Sequence, residues 1–130
     1  MRRSLIALSL AALVGGIGLI VIPTDASADG DVQAGAAVFN RCSACHQVGP
    51  GASNAVGPHL NGVMGRAVAG LPNYDYSDGL AARRGEFWNP ELVASYIADP
   101  ARFIGERSAM PAQRLRPSQV DDLLAYLESQ

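Results

Sequence analysis

The chain has 130 residues, which is enough for one domain, and 48% of them are hydrophobic. From Asp29 onward it carries 8 arginines, no lysine and 11 acidic residues, which gives this part a formal charge of −3. There is no basic stripe to neutralise phosphates, so nucleic acid is not an expected partner.

The N-terminus has the pattern of a secretory signal peptide. A short basic start precedes an uncharged run of 18 residues, from Leu5 to Ile22, and the small residues Ala26-Ser27-Ala28 match a cleavage site. The run is at the lower edge of the length that crosses a bilayer, so an uncleaved anchor is the alternative. We predict that residues 1–28 are a signal peptide that is cleaved, and that residues 29–130 form one periplasmic domain.

Apolar residues recur at three- and four-residue steps in several segments, which indicates helices. The first helix is predicted over 29–41. Its Gly35 suggests a close crossing with another helix, because glycine costs a helix about 1 kcal/mol relative to alanine. Residues 47–71 contain too many glycines and prolines for a long helix or strand. The other predicted helical segments lie at about 77–83, from Asn89-Pro90 onward, at 100–103 and at 117–129.

No segment alternates in the way that a strand does, so the expected fold class is all-α, a small helical domain with long loops. A domain of this size buries a modest share of its surface and is marginal unless something supplements its core. A cofactor wrapped by the long loop would be such a supplement, and it would also explain the length of the loop.

The run Cys42-Ser43-Ala44-Cys45-His46 is a C-x-x-C-H motif, the pattern of covalent c-type haem attachment. Its two thiols can each add to a haem vinyl group, and the imidazole of His46 can bind the iron. Three alternatives remain for the cysteines: a thioredoxin-like redox pair, half of a zinc site, and a disulfide, which in an exported protein is common. The adjacent histidine favours haem, since a disulfide leaves it unexplained.

With a second strong ligand opposite His46, the iron could transfer electrons but could not bind a small molecule. With that position open, it could bind one. Apart from the initiator, the methionines are Met64 and Met110. Met64 lies in a hydrophobic loop segment and is predicted to fill the core. Met110 lies in an irregular segment that Pro111 stiffens, and we predict that its thioether is the second iron ligand.

Several further motifs follow one another in order along the chain. They are Gly35 with Phe39, the C-x-x-C-H run, Val56–Arg66, Tyr74–Ser77, Trp88, Leu92 with Tyr96, Met110, and Asp122–Leu127. Over the segment from about Asp31 to Leu127, the chain resembles class I cytochromes c, the soluble monohaem electron carriers. The resemblance implies the cytochrome c fold, wrapped around one haem c that is covalently bound through Cys42 and Cys45.

The resemblance also implies roles for residues around the haem. The Pro58 carbonyl would accept a hydrogen bond from the second ring nitrogen of His46 and fix its tautomer. The Tyr96 hydroxyl would approach the methionine sulfur and influence the redox potential. The face of Gly35 and Phe39 would cross the last helix at Leu123 and Tyr126. Three residues match positions that contact the haem propionates: Arg66, Tyr76 and Trp88.

Two features stand apart from these implied roles. His59, beside Pro58, is predicted to be an ordinary surface histidine. The segment Ile104–Ala109 stands where many members of the family have Pro-Gly, and the bulky aromatic residue usual after the methionine is absent. This departure leaves the geometry of the methionine loop open.

The expected function is that of a periplasmic one-electron carrier whose haem c cycles between ferrous and ferric iron and which turns over no substrate. The expected partners are redox proteins, membrane-bound respiratory or dehydrogenase complexes, and the chain is expected to be a monomer. Two alternatives remain: a haem enzyme or gas sensor with a displaceable Met110, and a thiol oxidoreductase that uses Cys42 and Cys45.

Overall fold

A computed structural model describes residues 30–130, and the predicted signal peptide over 1–28 lies outside the described residues. The prediction of an all-α fold with long loops is confirmed. Within the described range the only strand-like pairing is an isolated bridge between Ala67 and Phe87. There are five helices in that range: α1 Val32–Phe39, α2 Asp78–Ala81, α3 Pro90–Ala98, α4 Pro100–Ile104 and α5 Pro117–Glu128.

Short polar side chains begin four of the helices by accepting a hydrogen bond from a free N–H of the first turn. Asp31 accepts from the Ala34 amide at 2.9 Å, and Asn89 accepts from the Leu92 amide at 2.8 Å. Ser77 and Asp99 do the same for α2 and α4. Proline stands near the start of α3, α4 and α5, where its missing N–H costs nothing.

The first helix is shorter than the predicted range of 29–41. It begins only after the Asp31 cap and ends at Phe39, because the chain then tightens into turns. The Cys42 amide donates to the Phe39 carbonyl at 2.7 Å, three residues back instead of four. The turns direct the chain away from the helix axis and into the C-x-x-C-H motif.

Helix α1 crosses α5 closely, as the glycine in its middle predicted. A Cβ atom added to Gly35 would overlap the Asp122 carbonyl oxygen and would lie 2.7 Å from the Tyr126 Cβ. One turn further along, the Phe39 and Tyr126 rings lie 5.5 Å apart between centroids. The predicted contact with Tyr126 is therefore confirmed, while the tightest contact is with the Asp122 backbone. Leu123, the other predicted contact, is 2% exposed and belongs to the core.

The core lies between these helices and the long loop. Met64 packs against it, as predicted. No helix formed by residues 30–130 has the length and apolar character needed to cross a membrane. The buried core residues come from α1, the long loop, the segment between α2 and α3, α3 and α5: Val38, Phe39, Val63, Val68, Trp88, Val93, Ile97, Leu123 and Leu127.

Candidate functional site

A cavity in the middle of the domain brings together residues that are as much as 88 positions apart in the sequence, from Phe39 to Leu127. Much of its wall is apolar, with Leu80, Val93, Leu123 and Leu127 among the lining residues. All nine residues that the sequence analysis assigned to the site line this cavity: Cys42, Cys45, His46, Pro58, Arg66, Tyr76, Trp88, Tyr96 and Met110.

The C-x-x-C-H motif forms a tight turn. The amides of Cys45 and His46 both donate to the Cys42 carbonyl, at 3.0 and 2.9 Å. This winding places the two thiols and the imidazole along one wall of the cavity. Three groups from five consecutive residues can therefore act on the same bound molecule.

The His46 ring is held from two directions. Its Nδ1 lies 2.7 Å from the Pro58 carbonyl oxygen, and a carbonyl can only accept, so Nδ1 is the donor. In that tautomer Nε2 keeps its lone pair and is free to bind a metal. Gly57 lies against the ring: a Cβ there would overlap the imidazole and lie 2.7 Å from Nδ1. Any residue larger than glycine would displace the imidazole.

Cys42 and Cys45 are not joined to each other by a disulfide, and both are partly exposed. Burial raises the pKa of the Cys42 thiol, and this effect outweighs the opposing influence of the Arg41 charge. Thiol oxidoreductases depend on a cysteine whose pKa is lowered, since the thiolate is the nucleophile. The surroundings of Cys42 do not favour that chemistry.

Arg66 is anchored through its guanidinium group. Its Nη1 and Nη2 donate to the carbonyls of Asn61 and His59, both at 3.1 Å, but its Nε is buried and has no hydrogen-bond partner in the described part of the chain. Burial lowers the pKa of Arg66, and nearby Tyr76 partly offsets this. A half-buried cation with an unused buried donor is costly unless an anion pairs with it. The wall at Arg66 therefore suits a carboxylate such as a haem propionate.

Three aromatic rings pack together beside the cavity. The centroids of Trp88 and Tyr96 lie 5.4 Å apart, those of Trp88 and Phe103 lie 5.9 Å apart, and those of Tyr96 and Phe103 lie 5.2 Å apart. Trp88 is only 9% exposed. The cluster gives the wall between α3 and α4 a rigid apolar surface, of the kind that a flat aromatic cofactor would contact.

Met110 is oriented by a residue that the sequence analysis did not single out. The Met110 amide donates to the Ser108 hydroxyl at 3.1 Å. Burial raises the pKa of Tyr96, and a side-chain hydrogen bond with Ser108 opposes this rise. Tyr96, Ser108 and Met110 all line the cavity, and the resemblance implies that the Tyr96 hydroxyl approaches the methionine sulfur. The position of Ser108, two residues before Met110, was the only signal for it in the sequence.

The prediction that His59 is a surface histidine is wrong. The residue is half-buried, and its Nδ1 is buried without a hydrogen-bond partner among residues 30–130. Its amide donates to the Asn54 side chain at 3.0 Å, and its carbonyl accepts from Arg66. These bonds lie within the long loop and fix the backbone around His59.

The donors in this cavity fit a covalently bound haem. Two thiols three positions apart can form thioethers, an imidazole with a free Nε2 and a methionine thioether are iron ligands, and an unpartnered guanidinium nitrogen suits an anionic substituent. Apolar side chains fill the remaining wall. The whole set matches what a flat, largely apolar macrocycle with two carboxylates requires.

The fold and this site are those of a c-type cytochrome, and the chain belongs to the cytochrome c family, whose model matches residues 32–130. It is 42% identical over 101 residues to a cytochrome c2 of Agrobacterium tumefaciens, covering 76% of this chain and 91% of that protein. It is 39% identical over 97 residues to a cytochrome c-550 of Ancylobacter novellus, covering 73% and 91%.

Solved structures of c-type cytochromes are also similar to this chain. The structure of cytochrome c2 from Rhodospirillum centenum superposes with a TM-score of 0.69 at 36% identity, covering 77% of this chain and 98% of that one. Cytochrome cH from Methylobacterium extorquens gives a TM-score of 0.67 at 34% identity, covering 78% and 100%. The protein is therefore an electron-carrying cytochrome with one haem c bound through Cys42 and Cys45.

Proposed function

We propose that the protein carries single electrons in the periplasm between larger redox proteins and turns over no substrate. The observation that carries this proposal is that His46 and Met110, far apart in the sequence, line the same cavity as the two cysteines. When bound there, haem supplies an iron that gains and loses one electron. With a strong ligand on each side, the iron has no open position for a substrate.

In this proposal His46 and Met110 are the residues that would bind the iron, and the rest of the cavity wall would hold their side chains in place. The hydrogen bond from His46 Nδ1 to the Pro58 carbonyl leaves Nε2 as the ring nitrogen that would bind the iron. Fixed ligands change little between the two oxidation states, which keeps the reorganisation that accompanies electron transfer small. An imidazole paired with a thioether gives the iron a higher reduction potential than two imidazoles would.

The propionate contacts are assigned to Arg66, Tyr76 and Trp88. Arg66 supports its assignment best, because its buried Nε has no partner among the described residues. Tyr76 and Trp88 line the same cavity. Tyr96 is assigned to the methionine side, where it acts together with Ser108 on the Met110 segment.

The location rests on the N-terminal sequence. The basic start, apolar run and small-residue site support export of a domain that comprises residues 29–130. An exported one-electron carrier exchanges electrons with membrane-bound respiratory or dehydrogenase complexes. We propose that it does so as a monomer.

A second candidate function is binding or activation of a small molecule at an iron from which Met110 is readily displaced. The observation that favours it is the weak attachment of the chain around Met110: among the described residues, no backbone–backbone hydrogen bond involves 106–112. A loosely held ligand would open one side of the iron.

Addition of carbon monoxide to the reduced holoprotein distinguishes the two functions. If Met110 stays bound, carbon monoxide binds slowly or not at all, and the absorption spectrum of the reduced protein is unchanged over minutes. Rapid binding, or turnover of peroxide by the oxidised protein, would contradict the carrier proposal and favour the second function.

A further inference from the structure

The segment 106–112, here called the distal segment, is held to the rest of the domain by side chains. Among the described residues, no backbone–backbone hydrogen bond involves this segment. After it, the Gln113 amide donates to the Ile97 carbonyl at 2.7 Å, and before it, the Arg83 side chain donates to the Phe103 carbonyl at 3.0 Å. Between these two anchors, the position of Met110 depends on contacts made by individual side chains of the segment.

One of these side chains joins the distal segment to helix α2. The Glu106 carboxylate accepts a hydrogen bond from the Gly79 amide at 2.7 Å. Ser77 already caps α2 by accepting from the Leu80 amide, so Glu106 satisfies a second free N–H of the same first turn. An ionised acceptor on such an N–H makes one of the stronger kinds of hydrogen bond.

The approach of α2 to the start of the distal segment is as close as the backbone allows. A Cβ on Gly79 would lie 2.6 Å from the Ile104 carbonyl oxygen and 2.8 Å from the Glu106 carboxylate. Helix α2 follows Tyr76 and Ser77, which line the cavity. The bond from Glu106 therefore links the wall at Tyr76 to the segment that carries Met110.

The second side-chain anchor, Ser108, accepts a hydrogen bond from the Met110 amide at 3.1 Å. It sets the local turn before the methionine. Glu106 differs from Ser108 in that its hydrogen bond joins the N-terminal end of the distal segment to a backbone amide of helix α2. Without the Glu106–Gly79 hydrogen bond, the segment from Gly105 to Gln113 would be more mobile between its two fixed ends.

We propose that Glu106 is a positioning residue for the axial methionine, and that losing its bond to Gly79 lets Met110 leave the iron more often. This rests on the proposed function, in which Met110 is the axial ligand. An added ligand such as imidazole then competes for the same coordination position. Its apparent affinity rises in proportion to the fraction of molecules in which Met110 has left.

The Glu106 side chain is exposed, so the expected effect is moderate. The net worth of one such hydrogen bond corresponds to about a three- to tenfold change in an equilibrium. The open fraction, and with it the apparent affinity for imidazole, should rise by about this factor in Glu106→Ala.

The experiment is an imidazole titration of the oxidised holoprotein, followed by loss of the sulfur-to-iron absorption. Glu106→Ala should lower the apparent Kd for imidazole by about three- to tenfold. Glu106→Gln keeps an amide oxygen that can accept the Gly79 N–H, so it should stay near the wild-type value. Glu128→Ala is the matched control, because Glu128 is an exposed glutamate whose side chain makes no hydrogen bond or ion pair among the described residues.

Amide hydrogen exchange at Gly79 gives a readout that does not depend on the iron. It should be faster in Glu106→Ala than in the wild type, and restored in Glu106→Gln. Unchanged imidazole affinity and unchanged Gly79 exchange in Glu106→Ala would overturn the proposal, as would a Glu106→Gln variant that behaves like Glu106→Ala. If Met110→Ala leaves the sulfur-to-iron absorption in place, the axial assignment fails and the positioning role fails with it. If Met110→Ala loses the sulfur-to-iron absorption, but Glu106→Ala keeps the wild-type imidazole affinity and Gly79 exchange, only the positioning role is overturned.

Discussion

Replacing Met110 with alanine is expected to abolish the weak sulfur-to-iron absorption near the red end of the spectrum and to lower the reduction potential. A thioether is a soft, neutral ligand that favours ferrous iron, and alanine offers no donor in its place. Axial ligands span roughly 0.8 V in haem proteins, so we expect a fall on the order of 0.1–0.3 V. Absorption spectroscopy and a potentiometric titration measure the two effects.

Met64→Ala is the matched control for this variant, since it removes the same side chain from a residue that packs against the core. It should lower the free energy of unfolding, by roughly 2 kcal/mol for a partly buried methionine, and leave the absorption and the potential near those of the wild type. An unchanged absorption spectrum in Met110→Ala would show that Met110 is not a ligand of the iron.

Gly35→Ala should strongly destabilise the fold. The added Cβ meets the Asp122 carbonyl and the Tyr126 Cβ, so either α1 or α5 must shift. Overpacking of this kind typically costs about 1–3 kcal/mol. Because the nearest group is the Asp122 backbone, which cannot rotate away as a side chain can, we expect a cost of about 3 kcal/mol here. At about 4–8 °C per kcal/mol for a domain of this size, thermal unfolding should show a Tm lower by roughly 12–24 °C.

Gly85→Ala is the control for the glycine substitution. A Cβ at Gly85 meets nothing within 4 Å, and the backbone there is not left-handed. The change should be neutral or stabilising by about 0.4–1 kcal/mol, because alanine has less freedom to lose on folding. Equal Tm values for the two variants would show that the α1–α5 crossing does not depend on the absence of a side chain at Gly35.

The helices were predictable where the signals that start them are local. Asn89 and Pro90 begin α3 through a cap within four residues, and Pro117 begins α5 in the predicted place. The end of α1 was not predictable from periodicity, because the turns after Phe39 follow from hydrogen bonds that the motif makes within itself. The spacing of apolar residues alone predicts a helix that continues to Arg41.

The identity of the site was also readable from the sequence, since C-x-x-C-H places its three groups within five residues and the remaining motifs follow in order. Contacts between distant segments were not. The bond from Glu106 to Gly79 joins a side chain to a backbone amide 27 residues away, and neither residue type signals it. His59 was misjudged although its partners are near in sequence, because the bonds that Asn54 and Arg66 make to its backbone are not signalled by the type of the residue.

A potentiometric titration of the purified wild-type holoprotein tests the central claim most directly. A carrier with one haem held by His46 and Met110 predicts a single reversible transition, followed by the haem absorption, with a slope of about 59 mV per tenfold change in the oxidised-to-reduced ratio. The sulfur-to-iron absorption should accompany the oxidised form throughout. A slope of about 30 mV, which marks a two-electron couple such as a dithiol and its disulfide, or no haem-linked transition at all, would contradict the account.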